Sequence, residues 1–91
     1  MSDTQPLRDT PYANELCKPG SVKQGDSECR IERIRVKESD QVEIRFSWWK
    51  NGNLIPRPLD LPEEELLQLF KDAIDNGVFS ETFKSKLREI L

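Results

Sequence analysis

The sequence contains no histidine and only two cysteines among its 91 residues. Without histidine, the commonest general acid and base of enzymes is missing, and histidine-based nucleophilic triads and metal sites are excluded. Cys17 and Cys29 lie far outside the C-x-x-C spacing of a zinc site, so we expect no metal and no other cofactor. Two free thiols in a reducing compartment are the simplest interpretation, although a pairing of the two stays open.

Long apolar runs are also missing. No stretch approaches the roughly twenty apolar residues that span a bilayer. The opening segment Met1-Ser2-Asp3-Thr4-Gln5-Pro6 has neither the basic nor the apolar region of a signal peptide. The sequence therefore predicts a small soluble protein of the cytoplasm that does not bind membranes.

Apolar material is scarce throughout the chain, since hydrophobic residues make up 35% of it and charged residues 34%. A chain of this length forms one domain. If the first residues of the chain are loose, the folded domain is smaller still and would be only marginally stable by itself. Homodimerisation therefore stays open as a means of burying more surface.

Residues 1–28 are predicted to be an irregular leader, and residues 29–91 a single folded domain. The leader holds three prolines and two glycines and shows no apolar periodicity. A flexible tail is the simpler interpretation. A tail that folds over the domain or onto a partner is the alternative.

Alternating residues predict a β-hairpin in the middle of the chain. Every second residue from position 42 to position 48 is apolar, which is the period of a half-buried strand, and the residues before position 37 alternate in the same way. If a three-residue loop follows Lys37, Val36 faces Val42 and Ile34 faces Ile44. Asn51-Gly52 predicts a second hairpin, because a type I′ turn needs a positive φ at both positions.

The last third of the chain predicts two helices. Leu61-Pro62-Glu63-Glu64-Glu65 opens the first, with a proline and carboxylates suited to a first turn, and Asn76-Gly77 ends it. Ser80 can cap the second helix. The predicted fold class is α+β, a three-stranded antiparallel meander followed by two C-terminal helices packed on one sheet face.

In this register the sheet has one apolar face and one face rich in arginine. The apolar face is expected to form the core beneath the helices, with Ile34, Val36, Val42, Ile44, Phe46, Trp48 and Ile55. A tryptophan ringed by cations is not an ordinary sheet surface. The opposite, exposed face therefore carries the candidate partner-binding residues, which are Arg33, Arg35, Lys37, Arg45, Trp49 and Leu54. The plainer alternative is that Trp49 and Leu54 form a cross-strand pair that only holds the hairpin together.

One stretch of the chain carries a family resemblance. Val42-Glu43-Ile44-Arg45-Phe46-Ser47-Trp48-Trp49 precedes a polar turn, a proline-bearing strand end and Leu59-Asp60-Leu61-Pro62, after which an amphipathic helix begins. Residues 34–74 thereby resemble the single-stranded-DNA-binding transcriptional coactivator family known as positive cofactor four. The resemblance implies a dimeric curved sheet plus one helix, in which Arg33, Arg35, Arg45 and Trp49 would contact melted nucleic acid. The chain departs from the family in three places. A full first strand before Arg30 is hard to find, the basic loop before the helix is reduced to Arg57, and the segment after Gly77 has no counterpart.

Three function classes remain. A non-enzymatic regulatory or adaptor module that binds a protein partner through the arginine and tryptophan face fits the net charge of −3 best. Binding of single-stranded DNA or RNA is the alternative, because seven basic residues oppose four acidic ones between positions 29 and 58. An enzyme is least supported, because no nucleophile–base pair, carboxylate dyad or phosphate loop is present.

Overall fold

The computed structural model describes residues 12–91, which form an antiparallel sheet of six strands followed by two helices. The strands are β1 (Ala13–Glu15), β2 (Gly20–Gln24), β3 (Ser27–Val36), β4 (Gln41–Lys50), β5 (Asn53–Leu54) and β6 (Leu59–Leu61). The helices are α1 (Glu63–Asp75) and α2 (Glu81–Ile90). The predicted α+β class with two C-terminal helices is confirmed, but the three-stranded meander is only part of a larger sheet.

The segment before residue 29 is not irregular where the structure describes it. β1 pairs with one end of β3, with Ala13 opposite Val36, and β2 pairs with the other end, with Gly20 opposite Ile31. Both strands are held by β3 rather than by an apolar pattern of their own, so local periodicity could not reveal them. Residues 1–11 of the predicted leader lie outside the described residues.

The hairpin of β3 and β4 is present, but its predicted register is wrong. Val36 pairs with Gln41 and Ile34 with Glu43, one residue away from the expected pairs. Four residues separate the strands, and Asp40, at φ 58, donates its backbone N–H to the carbonyl of Val36 at 2.7 Å. Because successive side chains of a strand point to opposite faces, this shift moves every side chain of β3 across the sheet.

Each face of the sheet therefore carries both apolar and charged residues. One face, called the groove face for the groove described below, carries Cys29, Ile31, Phe46 and Trp48 together with Arg33 and Arg35. The inner face carries the neighbouring residues of the same strands, which are Arg30, Glu32, Ile34, Arg45, Ser47 and Trp49.

The core is small. Its buried apolar residues within positions 12–91 are Ala13, Ile34, Ile44 and Trp49. Burial of Ile34 and Ile44 was expected, but the two lie on opposite faces. Trp48, expected in the core, is 49% exposed, and Trp49, expected at the surface, is 5% exposed.

The second hairpin and both helices follow the sequence signals. Asn51 and Gly52 have φ of 52° and 78°, and Trp49 stands opposite Leu54 as expected. The hydroxyl of Ser80 accepts a hydrogen bond from the backbone N–H of Phe83 at 3.0 Å, which caps α2. Neither helix has a fully buried residue, and between positions 12 and 91 no helix is long and apolar enough to cross a membrane.

Candidate functional site

The predicted partner-binding residues do not share one surface. Arg33 and Arg35 lie on the groove face, whereas Arg45, Trp49 and Leu54 lie on the inner face, and Lys37 follows β3 in the hairpin loop. The expectation of an exposed Trp49 is wrong: it is 5% exposed, and the guanidinium of Arg30 on the same face lies over its ring. The exposed tryptophan of the molecule is its neighbour, Trp48.

The three arginines predicted to bind a partner each pair with a carboxylate within the fold. Arg45 makes two hydrogen bonds to Asp60, at 2.8 Å and 2.9 Å, and the pKa of Arg45 is raised mainly by this contact. Arg33 donates to Glu63 at 3.2 Å. Arg35 and Arg33 are both about half exposed, and ion pairs of that kind are worth little. Arg45 is therefore a structural residue, whereas Arg33 and Arg35 keep access to solvent.

A buried polar network occupies the inner face. The indole Nε1 of Trp49 donates to the hydroxyl of Ser47 at 2.9 Å, and that hydroxyl donates to Oε1 of Glu32 at 2.9 Å. The guanidinium of Arg30 lies 4.3 Å from the centroid of the Trp49 ring and 4.0 Å from Oε2 of Glu32. Since a buried carboxylate needs partners, Glu32, Ser47, Trp49 and Arg30 act as one unit.

Glu28 extends this network toward solvent. Arg30 donates two hydrogen bonds to its carboxylate, at 2.9 Å and 3.1 Å, and the hydroxyl of Ser21 donates a third. These bonds, those from Arg30 first, lower the pKa of Glu28 from 4.5 to about 2. The ionised carboxylate is therefore held in place by strand β2 as well as by its own strand.

The lowered pKa of Glu28 predicts a pH dependence of stability. A carboxyl whose pKa falls on folding stabilises the folded state fully above its unfolded pKa, near 4.5, and loses that contribution as the pH falls to about 2. We expect the native protein to be more stable than Glu28→Gln at pH 7, with a difference that shrinks between pH 4.5 and pH 2. Urea unfolding across this range measures it, with Glu38→Gln in the exposed hairpin loop as the control. A constant difference would contradict the assignment.

An open groove of about 650 Å³ lies on the other side of the sheet, on the groove face. Its floor is formed by Cys29–Ile31 and Phe46–Trp48, one wall by Gly20–Val22 of β2, and the other by Ile55–Pro58. Most of the lining is apolar, and it includes no carboxylate. Its charged residues are Arg57 and Arg30, but the guanidinium of Arg30 lies on the inner face, over Trp49. A smaller recess of about 200 Å³ shares Val22, Cys29 and Trp48 with the groove and reaches Ser27.

The groove is open because α1 covers only one end of its face. β6 pairs with Ile44–Phe46, so α1 starts beside Ile44, which is buried, and leaves the other end of β4 without a cover. There Trp48 is 49%, Ile31 51% and Val22 69% exposed. Contiguous exposed apolar side chains of this kind mark interaction sites. The sequence did not reveal this site, because local alternation does not say where along a strand a helix lies.

No protein-family model, curated protein or solved structure matches this chain. Within positions 12–91, no group of three or more cysteine, aspartate and glutamate side chains is placed to hold a metal ion. The groove and the inner-face network are therefore the features from which a function can be argued.

Proposed function

We propose that this protein is a non-enzymatic binding module, a regulatory or adaptor domain that docks a protein partner in the groove around Trp48. The observation that carries the proposal is the half-exposed Trp48 in an apolar groove of about 650 Å³. Tryptophan in a pocket is a frequent anchor of protein interfaces, because it buries a large rigid surface at a small cost in conformational entropy.

The character of the lining favours a protein over a small substrate. A catalytic pocket needs several convergent polar groups, and this lining offers chiefly apolar side chains with Arg30 and Arg57. The guanidinium of Arg30 lies on the inner face, over Trp49 and bound to Glu28, so Arg57 is the charged side chain that a partner in the groove can contact. A surface of this composition resembles the apolar centre of a protein interface.

One observation favours a second candidate, the binding of single-stranded nucleic acid. Trp48 shares its face with Arg33 and Arg35, so a base could stack on the indole while phosphates reach the cations. The support is weaker, because both arginines pair with carboxylates. The resemblance to positive cofactor four implies contacts at Arg45 and Trp49, and these lie on the inner face, where both are engaged.

Photo-crosslinking of the full chain tests the proposal. The photoreactive residue p-benzoylphenylalanine replaces Val22 on the groove wall, or Lys86 on the exposed side of α2 as the control, and each protein is irradiated in native extract. We expect a protein adduct from position 22 and not from position 86. Unlabelled native protein should compete for that adduct at least tenfold better than Trp48→Ala, because the variant lacks the anchor.

Three outcomes would overturn the proposal. An adduct that nuclease treatment abolishes would assign the groove to nucleic acid. An adduct that contains only a second copy of the chain would assign it to a homodimer interface. An adduct for which native protein and Trp48→Ala compete equally would show that the groove is not the binding surface.

A further inference from the structure

The backbone dimensions of the groove match those of a helix. From β2 to the segment Ile55–Pro58 it spans β3 and β4, since Ile55 donates its backbone N–H to Trp48 at 2.8 Å and so lies beside β4. Neighbouring strands are about 4.8 Å apart, so three spacings place the walls about 14 Å from each other. An α-helix with its side chains measures about 10–12 Å across, which is comparable to this backbone-to-backbone width.

The floor of the groove offers little to an extended peptide. β3 is paired on both edges here, by β2 and by β4, and β4 is bounded on its other side by Ile55 and β6. A strand lying on such a face would keep backbone N–H and C=O groups without partners in an apolar site, which is costly. A helix satisfies its own backbone groups and presents only side chains, as in known helix-in-groove recognition.

The same face already receives one helix of the chain. α1 lies against β4 near Ile44, and Glu63 in its acidic first turn accepts a hydrogen bond from Arg33 of the groove face at 3.2 Å. The arrangement sets a helix beside the apolar Ile44 of the sheet and pairs a helix carboxylate with a cation of the sheet. The open end of the face offers the same two elements, in Trp48 and Arg57.

The charged residues around the groove indicate the charge of the partner. The groove lining contains no carboxylate, Arg57 lies exposed on its wall, and Lys50 stands opposite Ser27 on the groove face. The smaller recess nearby includes Glu28, whose carboxylate is bound by Arg30 and Ser21. In a partly desolvated groove Arg57 and Lys50 favour carboxylates and disfavour other cations, so they select among partner helices.

We infer that the groove binds an acidic amphipathic helix of the partner protein. Its apolar stripe, with residues at i, i+3 or i+4, and i+7, rests on Ile31, Phe46 and Trp48, and its carboxylates face Arg57 and Lys50. This inference rests on the proposed function, since it specifies the partner of the same groove.

Selection from a displayed library of unconstrained random 16-residue peptides tests this inference. The native full chain is the target, and Trp48→Ala is used for counter-selection. We expect the enriched sequences to carry a net negative charge and an apolar period of three to four residues. Synthetic copies should gain helical circular dichroism on binding. Their affinity should fall about tenfold in Arg57→Glu and change less than twofold in Lys86→Glu, a matched charge reversal on α2.

The other outcomes distinguish a failure of this inference from a failure of the proposed function. Trp48-dependent peptides that are basic, that alternate with a period of two, or that stay extended when bound would overturn the acidic helix and leave the protein-binding groove standing. A library that yields no Trp48-dependent peptide would overturn the inference, while the crosslinking at position 22 decides the proposed function. If light scattering shows that the native protein is a dimer and that Trp48→Ala is a monomer, the groove is the interface between two copies of the chain. That result would overturn both the inference and the proposed function.

Discussion

Replacing Trp49 by alanine is expected to lower the free energy of unfolding by about 3–5 kcal/mol, whereas the same change at Trp48 should lower it by less than about 1 kcal/mol. The two residues are neighbours of identical type, but Trp49 is 5% exposed and Trp48 is 49% exposed. Truncation of Trp49 also removes the hydrogen bond to Ser47 and the contact with Arg30. The large value is a substantial fraction of the stability of so small a domain.

Urea denaturation followed by far-ultraviolet circular dichroism measures both variants, and each is the control of the other. Trp49→Phe adds a second comparison, because it keeps most of the apolar surface and loses the Nε1 donor, so its effect should be smaller than that of Trp49→Ala. If Trp48→Ala were the more destabilising change, the two faces of the sheet would be inverted, and the groove would be part of the core.

The pair also separates stability from binding. Since Trp48 lies on the open face, Trp48→Ala should keep the fold and lose affinity for the partner. Any loss of competition by this variant in the crosslinking experiment then reports on binding and not on folding. Loss of binding in Trp49→Ala would carry no such meaning, because a destabilised domain loses its groove along with the rest of the fold.

The features that the sequence predicts correctly are those with a local cause. Asn51 and Gly52 form their turn because both accept a positive φ, and Ser80 caps α2 through a contact with Phe83, three residues away. Strands β1 and β2 have no such local cause, because each is stabilised by pairing with β3. Pairing of this kind becomes visible only once the partner strand is in place.

The register shows how a plausible local pattern can mislead. A three-residue loop aligned two apolar pairs, yet the structure has four loop residues, with Asp40 in the left-handed region that aspartate tolerates better than most residues. The sequence did hold a signal for the inner face, since Glu28, Arg30 and Glu32 alternate in sign at every second position of β3. Such a row predicts paired charges on one face, and here that face is the buried one.

Removing the carboxylate of Glu32 is expected to be the other large effect, with a loss of about 2–4 kcal/mol in Glu32→Ala. Glu32 is 4% exposed, accepts the hydrogen bond of Ser47 and lies 4.0 Å from Arg30. Alanine therefore leaves a buried hydroxyl without its acceptor and a guanidinium with one carboxylate fewer. Glu32→Gln keeps an acceptor for Ser47 and should lose about half as much.

We expect the same network to favour the observed register over the one with better apolar pairs. Glu32 and Ser47 share a face when Ile34 stands opposite Glu43, and a slip by one residue would turn Glu32 away from Ser47 and Trp49. Urea unfolding of Glu32→Ala, Ser47→Ala and the double variant measures the coupling, for which we expect about 1–2 kcal/mol. Additive effects would mean that the two side chains act separately, and that the register depends instead on the loop at Asp40 and on the burial of Ile34 and Trp49.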